Sequence, residues 1–423
     1  MDVEEEEYKL NTRLLTYNIK VGVIVRNKVR KIEKIDSEVA GIIITNLLAC
    51  IKKKQALLYS RSNSKTSAQK TKYNRKGITA YRVIKCVDRL AEIGLVYNHI
   101  GKPHKDVEKR EMSFIAPTQD FIDEFCTEPE QANIALSAYN AALQTIILRN
   151  EYGNDIDYQD NENIRKARAV VQKLNEINES HVIRDGSGNL MTNIYSRIFN
   201  KDMEHGGRFF HADTLKIKHK ETKSRLDITI DGNPVLEIDF RNLHYRIAAI
   251  LEGYDDSDLP SDVYMDILPP ELRDSTHREI VKLAVNILFN AKSPQSADGA
   301  IRDEITKVKD KLHPSMQSAS LVRLMIYEAT PEFRPCYCRE DSFGLALQNA
   351  DSWLAQRVIE KFIAVNRPIL PIHDSFLVDR NDVGLLISAM GDSFREEFDV
   401  DYSVQLKMSL KDNGVYEEHN IVG

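Results

Sequence analysis

Residues 235–249, Val-Leu-Glu-Ile-Asp-Phe-Arg-Asn-Leu-His-Tyr-Arg-Ile-Ala-Ala, constrain this chain more than any other stretch. Extended-type apolar residues run into one carboxylate, Asp239, and helix-favouring sequence begins almost at once. The pattern predicts a buried strand ending at Asp239, a turn, and a helix. A strand-terminal carboxylate suits a hard divalent cation that in turn holds phosphates. Alone, such an aspartate is more often a cap or turn residue, so the reading needs a second acid. Residues 367–379, Arg-Pro-Ile-Leu-Pro-Ile-His-Asp-Ser-Phe-Leu-Val-Asp, supply it. Two short apolar runs flank His373 and Asp374, which predicts a hairpin presenting both at its bend. Between the two acids, residues 278–291 read as a helix. At helical pitch Arg278, Lys282 and Phe289 fall close to one line, with Asn286 beside them.

A strand acid, a helix with a cationic stripe and a hairpin acid, in that order, resemble motifs A, B and C of the family A nucleic-acid polymerases. That group contains the repair-type DNA polymerases and the single-subunit phage-type RNA polymerases. In motif A, Asp239, Phe240, Arg246, Ala248 and Ala249 fit. His244 departs: the DNA polymerases carry an acid there and the phage-type RNA polymerases a glycine. In the family this side chain sits under the sugar of the incoming nucleotide and excludes a 2′-hydroxyl. The bulk of His244 leans towards deoxynucleotides, while its imidazole could hydrogen-bond a 2′-hydroxyl. Sugar choice therefore stays open at this point.

In motif B the arginine and lysine spacing fits through Arg278 and Lys282. The resemblance implies that Lys282 binds the triphosphate and protonates the pyrophosphate, and that Arg278 clamps phosphate. Asn290-Ala291 stand where the family has Tyr-Gly, and Phe289 is the ring nearest that position. Lys282, Asn286 and Phe289 also echo the lysine, asparagine and tyrosine spacing of family B polymerases. Residues 347–351, Leu-Gln-Asn-Ala-Asp, resemble the segment whose glutamine, here Gln348, touches the primer-template minor groove. His373-Asp374-Ser375-Phe376 is close to the phage-type motif C. The resemblance covers roughly the last half of the chain. It implies that Asp239 and Asp374 hold two Mg²⁺ ions, with Mn²⁺ as a substitute. Arg278, His244, Phe289, Asn286 and Phe240 are then expected at the nucleotide, and His373, Gln348, Arg208 and Arg246 at primer and template.

Length allows two or three domains for 423 residues. A net charge of -6 gives no global sign of a polyanion partner, so nucleic-acid contact must come from local patches. The acidic start, Met1 to Tyr8, carries no apolar leader, and no run is long enough to span a bilayer. The five cysteines are scattered and lack zinc-site spacing, which reads as reduced thiols in a cytoplasmic protein. Residues 21–53 show helical apolar spacing. Lys52, Lys53, Lys54, Arg61, Lys65, Lys70, Lys72, Arg75 and Lys76 then arrive without an acid among them. A basic run is ordinarily a solvated surface, but this one leads into residues 77–96. There Thr79 is a helix cap, Val83, Ile84, Val87, Leu90 and Ala91 make an apolar face, and Gly94 ends the helix.

Strands at 95–100 and 112–116 around a basic loop complete a pattern similar to a winged helix-turn-helix. Its recognition helix would expose Tyr81, Arg82, Lys85 and Arg89 to DNA; a protein-binding module would show the same pattern. Residues 128–149 and 163–180 look helical, and the acidic stretch 154–162 reads as a seam. Gly206-Gly207-Arg208-Phe209-Phe210 could bring backbone close to a ligand and hold phosphate. Residues 226–230, a turn, and 235–238 form an expected hairpin, 384–398 a helix, and 404–410 a closing strand.

The expected architecture is α+β: a right-hand polymerase core of small antiparallel palm with helical fingers and thumb, behind a mainly helical winged-helix domain. The expected bounds are 1–127 for the winged helix, 128–200 for a helical connector or thumb, and 201–423 for palm and fingers. The expected function is a small DNA-directed DNA polymerase of plasmid, phage or mobile-element replication, using dNTPs to extend and also to start strands, without a membrane partner. The competing readings are an RNA-making polymerase or primase that uses NTPs, and a DNA-binding initiator with an inactive palm. The DNA bound would be primer-template and an origin or promoter site.

Overall fold

The computed structural model describes residues 12–51, 54–61, 70–102, 111–191, 194–211, 224–254, 259–412 and 414–423. The fold mixes helices with small sheets, in agreement with the α+β expectation. The chain divides into two compact units and passes back and forth between them. One comprises 1–146, 156–196 and 211–232; the other comprises 147–155, 197–210 and 233–423. The expected connector 128–200 is not a body of its own, because most of it belongs to the first unit. One crossing, between 155 and 156, falls inside the acidic stretch 154–162.

The first unit holds strands β1 (Thr12–Leu14) and β2 (Ala56–Leu58), and helices α1 (Val23–Val29) and α2 (Ser37–Ile51). Helix α3 (Ala80–Glu92) is followed by strands β3 (Val96–His99) and β4 (Phe114–Pro117). Helices α4 (Gln119–Phe125), α5 (Pro129–Ala142) and α6 (Glu162–Ser180) complete it. Helix α2 is apolar nearly all round and is buried from Val39 to Cys50, the signature of a central helix. Its one amide, Asn46, is fully satisfied: it accepts from Thr16 N (3.0 Å) and donates to the carbonyls of Thr16 (3.0 Å) and Ile42 (2.8 Å). The sheet order is β1-β2-β4-β3, with β1 parallel to β2 and the other pairs antiparallel. Thr79 caps α3 by accepting from Arg82 N, and Gly94 (φ 77°) ends it in the left-handed region, as expected. Residues 146–149, expected to extend a helix, form a strand instead. Met1 to Tyr8, Lys52, Lys53, Lys65 and most of the expected basic loop lie outside the described residues.

The second unit is built on an antiparallel sheet. Strand β5 (Gly206–His211) belongs to a smaller neighbouring sheet; β6 (Asn233–Phe240) leads into helix α7 (Leu243–Leu251). Helices α8 (Ser275–Asn290) and α9 (Phe343–Ala364) precede the hairpin β7 (Leu370–Ile372) and β8 (Ser375–Asp379). Helix α10 (Val383–Phe398) and a second hairpin, β9 (Gln405–Asp412) and β10 (Val415–Val422), close the chain. The order is β7-β8-β6-β9-β10, so β6 is central. Side chains alternate along it. Leu236, Ile238 and Phe240 share one face, where Phe240 meets Phe394 of α10 (centroids 6.2 Å apart). Glu237 and Asp239 share the other. The segment expected as a strand at 226–230 is mostly a 3₁₀ turn, Ser224–Asp227, before a two-residue strand. Strand β10 was not foreseen.

Candidate active site

The central strand fixes the first acid and its neighbours. Asp239 is the register partner of Ser375 on β8 and of Lys407 on β9, so Lys407 flanks it on one side. Asp374 lies in the β7–β8 bend immediately before Ser375, and its carbonyl accepts from Phe240 N (3.4 Å). His373, also in the bend, takes a left-handed backbone (φ 60°) and sets its ring edge-on to Phe210 (5.8 Å). Two acids far apart in sequence therefore come together at adjacent positions of one sheet. Both border a cavity of about 730 Å³.

Burial, then the charge of Asp374, then that of Glu237 push the Asp239 carboxyl well above the usual carboxylate range; Lys282 and Lys407 oppose the shift. Asp239 Oδ1 is buried and accepts no hydrogen bond among the described residues. Glu237 accepts from Ser375 Oγ (2.7 Å), and Asp379 accepts from Asn381 N (2.9 Å) and Asn233 Nδ2 (2.8 Å). Both carboxylates are thus engaged by neighbouring groups of the fold.

Helix α8 forms a second wall. Asp274 caps it, accepting from Thr276 N (2.8 Å) and His277 N (3.0 Å). Arg278, Lys282, Asn286 and Asn290 line the cavity from this helix. Arg278 Nε donates to Asp262 Oδ2 (2.7 Å), its guanidinium lies over the Tyr264 ring (5.5 Å), and Arg241 approaches the same carboxylate (3.6 Å). Across the cavity Lys407 pairs with Glu418 of β10 (3.0 Å). Lys282 is different: it makes no ion pair with any carboxylate among the described residues. Its ammonium is available to an incoming anion.

The third wall joins β5, α7 and α9 around Asp351, which is 1% exposed. Arg208 grips this carboxylate from two nitrogens, Nε at 3.0 Å and Nη2 more closely. His244 Nε2 lies 2.9 Å from Asp351 Oδ2. The same ring nitrogen lies 3.0 Å from Arg208 Nη2, so His244, Arg208 and Asp351 form one polar cluster. Burial alone would raise the Asp351 carboxyl, but the His244 hydrogen bond and the Arg208 charge outweigh it and hold it below its ordinary value. Gln348, one turn before Asp351 on α9, also borders the cavity. The paired glycines serve this packing rather than a ligand. A Cβ on Gly207 (φ 87°) would meet Phe199 Cε1 at 2.6 Å and Ser352 Oγ at 2.9 Å. Beneath lies Arg197, completely buried under the rings of Phe199, Phe209 and Trp353 and donating to Gly207 O, Gln356 and Ser352. Burial pushes its guanidinium down to about 9.

The cavity thus gathers Asp239, Asp374, Lys282, Arg278, Asn286, His244, Gln348 and Arg208. His373, in the β7–β8 bend against Phe210, is not among the residues that line the cavity. Three further expected residues also fall elsewhere. Phe289 is 1% exposed among Tyr245, Tyr337 and Phe343, so its ring is core and cannot stack on a base. Arg246 is 2% exposed and donates to Arg241 O (3.3 Å), so it supports the turn after Asp239 rather than meeting a template. The Phe240 ring faces α10, leaving only its backbone near the site. Sequence reading missed Asp351, Asp262, Arg241, Lys407 and Glu418. The Asp351 of Gln-Asn-Ala-Asp carried a faint signal, as an acid on the inward line of an apolar helix.

In the first unit, the helix–strand–strand succession is present, but α3 is less basic than its sequence implied. Arg82 is held by Asp36 (2.8 Å) and Glu38 (3.2 Å), and Arg89 by Glu92 (2.8 Å). Tyr81 and Lys85 are exposed, with the ammonium 5.1 Å from the ring.

Among the described residues no group of three or more histidines, cysteines or carboxylates gathers at one point. The two-carboxylate set still fits Mg²⁺, which keeps several waters and completes its shell with substrate phosphates. The bare Asp239 Oδ1, and a carboxyl raised by burial and then by neighbouring acids, fit a cation partner as well. No helix among the described residues is long and apolar enough to cross a membrane. Compared with known proteins, the chain matches no family model and no curated protein.

Proposed function

We propose that this chain is a template-directed nucleotidyltransferase, a DNA-directed DNA polymerase with a family A-like palm and fingers in its second unit. The observation that carries the reading is the pair Asp239 and Asp374, side by side on one cavity, with Lys282, which pairs with no carboxylate among the described residues, on the facing helix. Mg²⁺ held by the two acids would acidify a primer 3′-hydroxyl and neutralise triphosphate charge. The chain's own groups do the rest. Lys282 binds the triphosphate and gives its proton to the departing pyrophosphate as the new phosphodiester bond forms. Arg278, braced by Asp262, contacts phosphate; Asn286 borders the nucleotide. His244, fixed by Asp351, sets the wall against the sugar. Arg208, Gln348 and His373 face primer and template.

The test is incorporation of labelled dNTPs or NTPs on primed and unprimed templates with Mg²⁺, beside Asp239→Ala and Asp374→Ala. Incorporation lost in both variants supports the reading, and the accepted sugar decides between DNA and RNA synthesis. Intact DNA binding without incorporation in the unaltered chain would overturn it in favour of a non-catalytic initiator.

A further inference from the structure

We infer that the first unit contacts duplex nucleic acid through α1 and the turn after it, rather than through the face of α3. Between residues 20 and 34 stand six cations, Lys20, Arg26, Lys28, Arg30, Lys31 and Lys34, against one acid, Glu33. In a chain of net charge -6 this is a strong local field.

The segment is firmly seated. Val25 and Val29 are buried in the first unit's core, and Lys28 is anchored against Glu124 and the Phe125 ring (5.9 Å). The remaining cations point outward. Arg26, Arg30, Lys31 and Lys34 are exposed and make no ion pair with any described residue. On α3, by contrast, Arg82 and Arg89 are already neutralised by acids. A cation committed to a carboxylate gives up that pairing before it can meet a phosphate; an uncommitted one releases only counterions.

Among the described residues of this segment the exposed large apolar side chains are Val23 and Ile24, neither of them aromatic. Membrane-surface helices carry a broad face of Trp, Phe or Leu, so a phosphodiester backbone fits this patch better than a lipid surface. The patch exists whatever the second unit does. The choice of nucleic acid as its polyanion rests on the nucleotidyltransferase reading.

The experiment measures anisotropy of a short labelled duplex with the full chain in EDTA, where catalysis plays no part, across a salt titration. The combined variant Arg26→Gln/Arg30→Gln/Lys31→Gln/Lys34→Gln should flatten the slope of log affinity against log salt by about 3 and weaken binding about tenfold or more. Lys85→Gln/Arg89→Gln should leave the slope nearly unchanged. Thermal melting checks folding; the pairs Arg26→Gln/Arg30→Gln and Lys31→Gln/Lys34→Gln should each give about half the slope change. An unchanged slope in the folded fourfold variant would overturn the inference, as would a loss confined to the α3 variant. So would tight binding of the unaltered chain to phosphatidylserine vesicles without binding to the duplex. A chain that binds the duplex through this patch yet incorporates nothing would sink the polymerase reading alone.

Discussion

Asp239 states the cost of the site most plainly. Its folded pKa is raised by burial and by Asp374, so its favourable contribution is full below the ordinary carboxylate range and is lost as pH rises through the raised value. Ionised, Asp239 is therefore a liability to the fold. Asp239→Asn should abolish incorporation, by about a hundredfold or more, yet raise the melting temperature by about 2 °C. That gain should shrink as the pH is lowered to where Asp239 protonates; a lower melting point at neutral pH would contradict the account. Asp351 has the opposite sign. Its folded pKa is lowered, so its contribution is present above the unfolded value and lost as pH falls through the folded one. Asp351→Asn leaves the half-buried Arg208 without its counter-charge and should cost about 2 kcal/mol, read by urea denaturation. The two acids carried different amounts of sequence signal. Asp239 ends a run of extended-type residues, whereas Asp351 gains its meaning from Arg208 and His244, which no local pattern joins to it.

At the scale of elements, α8 is the cationic wall and Asp274 is its cap. Asp274→Ala should cost about 1 kcal/mol in thermal stability while leaving duplex affinity through α1 unchanged. Periodicity made the helices legible: α3, α6, α8 and α10 lie where apolar spacing placed them, because a buried stripe leaves a mark in sequence. Residues 146–149 were misread because Ile-Ile-Leu is equally at home in either state, and sheet partners decided it. Strand β10 was missed because its side chains are mostly exposed and carry little alternation. Phe289 lay on the line of Arg278 and Lys282 by helical pitch, yet the helix buries that end under Tyr337 and Phe343. Spacing fixes a side chain's direction, whereas burial depends on what packs above it.

For the molecule as a whole, the division into two units lets ligands be assigned by what they stabilise. On the proposed reading, saturating Mg²⁺ should relieve repulsion at the Asp239–Asp374 pair, and at a hundredfold over its dissociation constant should add about 2.7 kcal/mol to the unfolding of the second unit. Calorimetry should show that gain in the unaltered chain and lose it in Asp239→Asn/Asp374→Asn. A gain of equal size in the double variant would assign the ion elsewhere. The buried guanidinium of Arg197 has a practical corollary. It sits 4.4 Å from the ring of Trp353, the chain's sole tryptophan, whose Nε1 donates to Asn349 on the helix that bears Gln348 and Asp351. The protein carries its own optical gauge there: excited at the red edge, clear of the 17 tyrosines, it emits from one indole beneath the same wall that holds His244 and Arg208, and can follow ligand arrival without any dye.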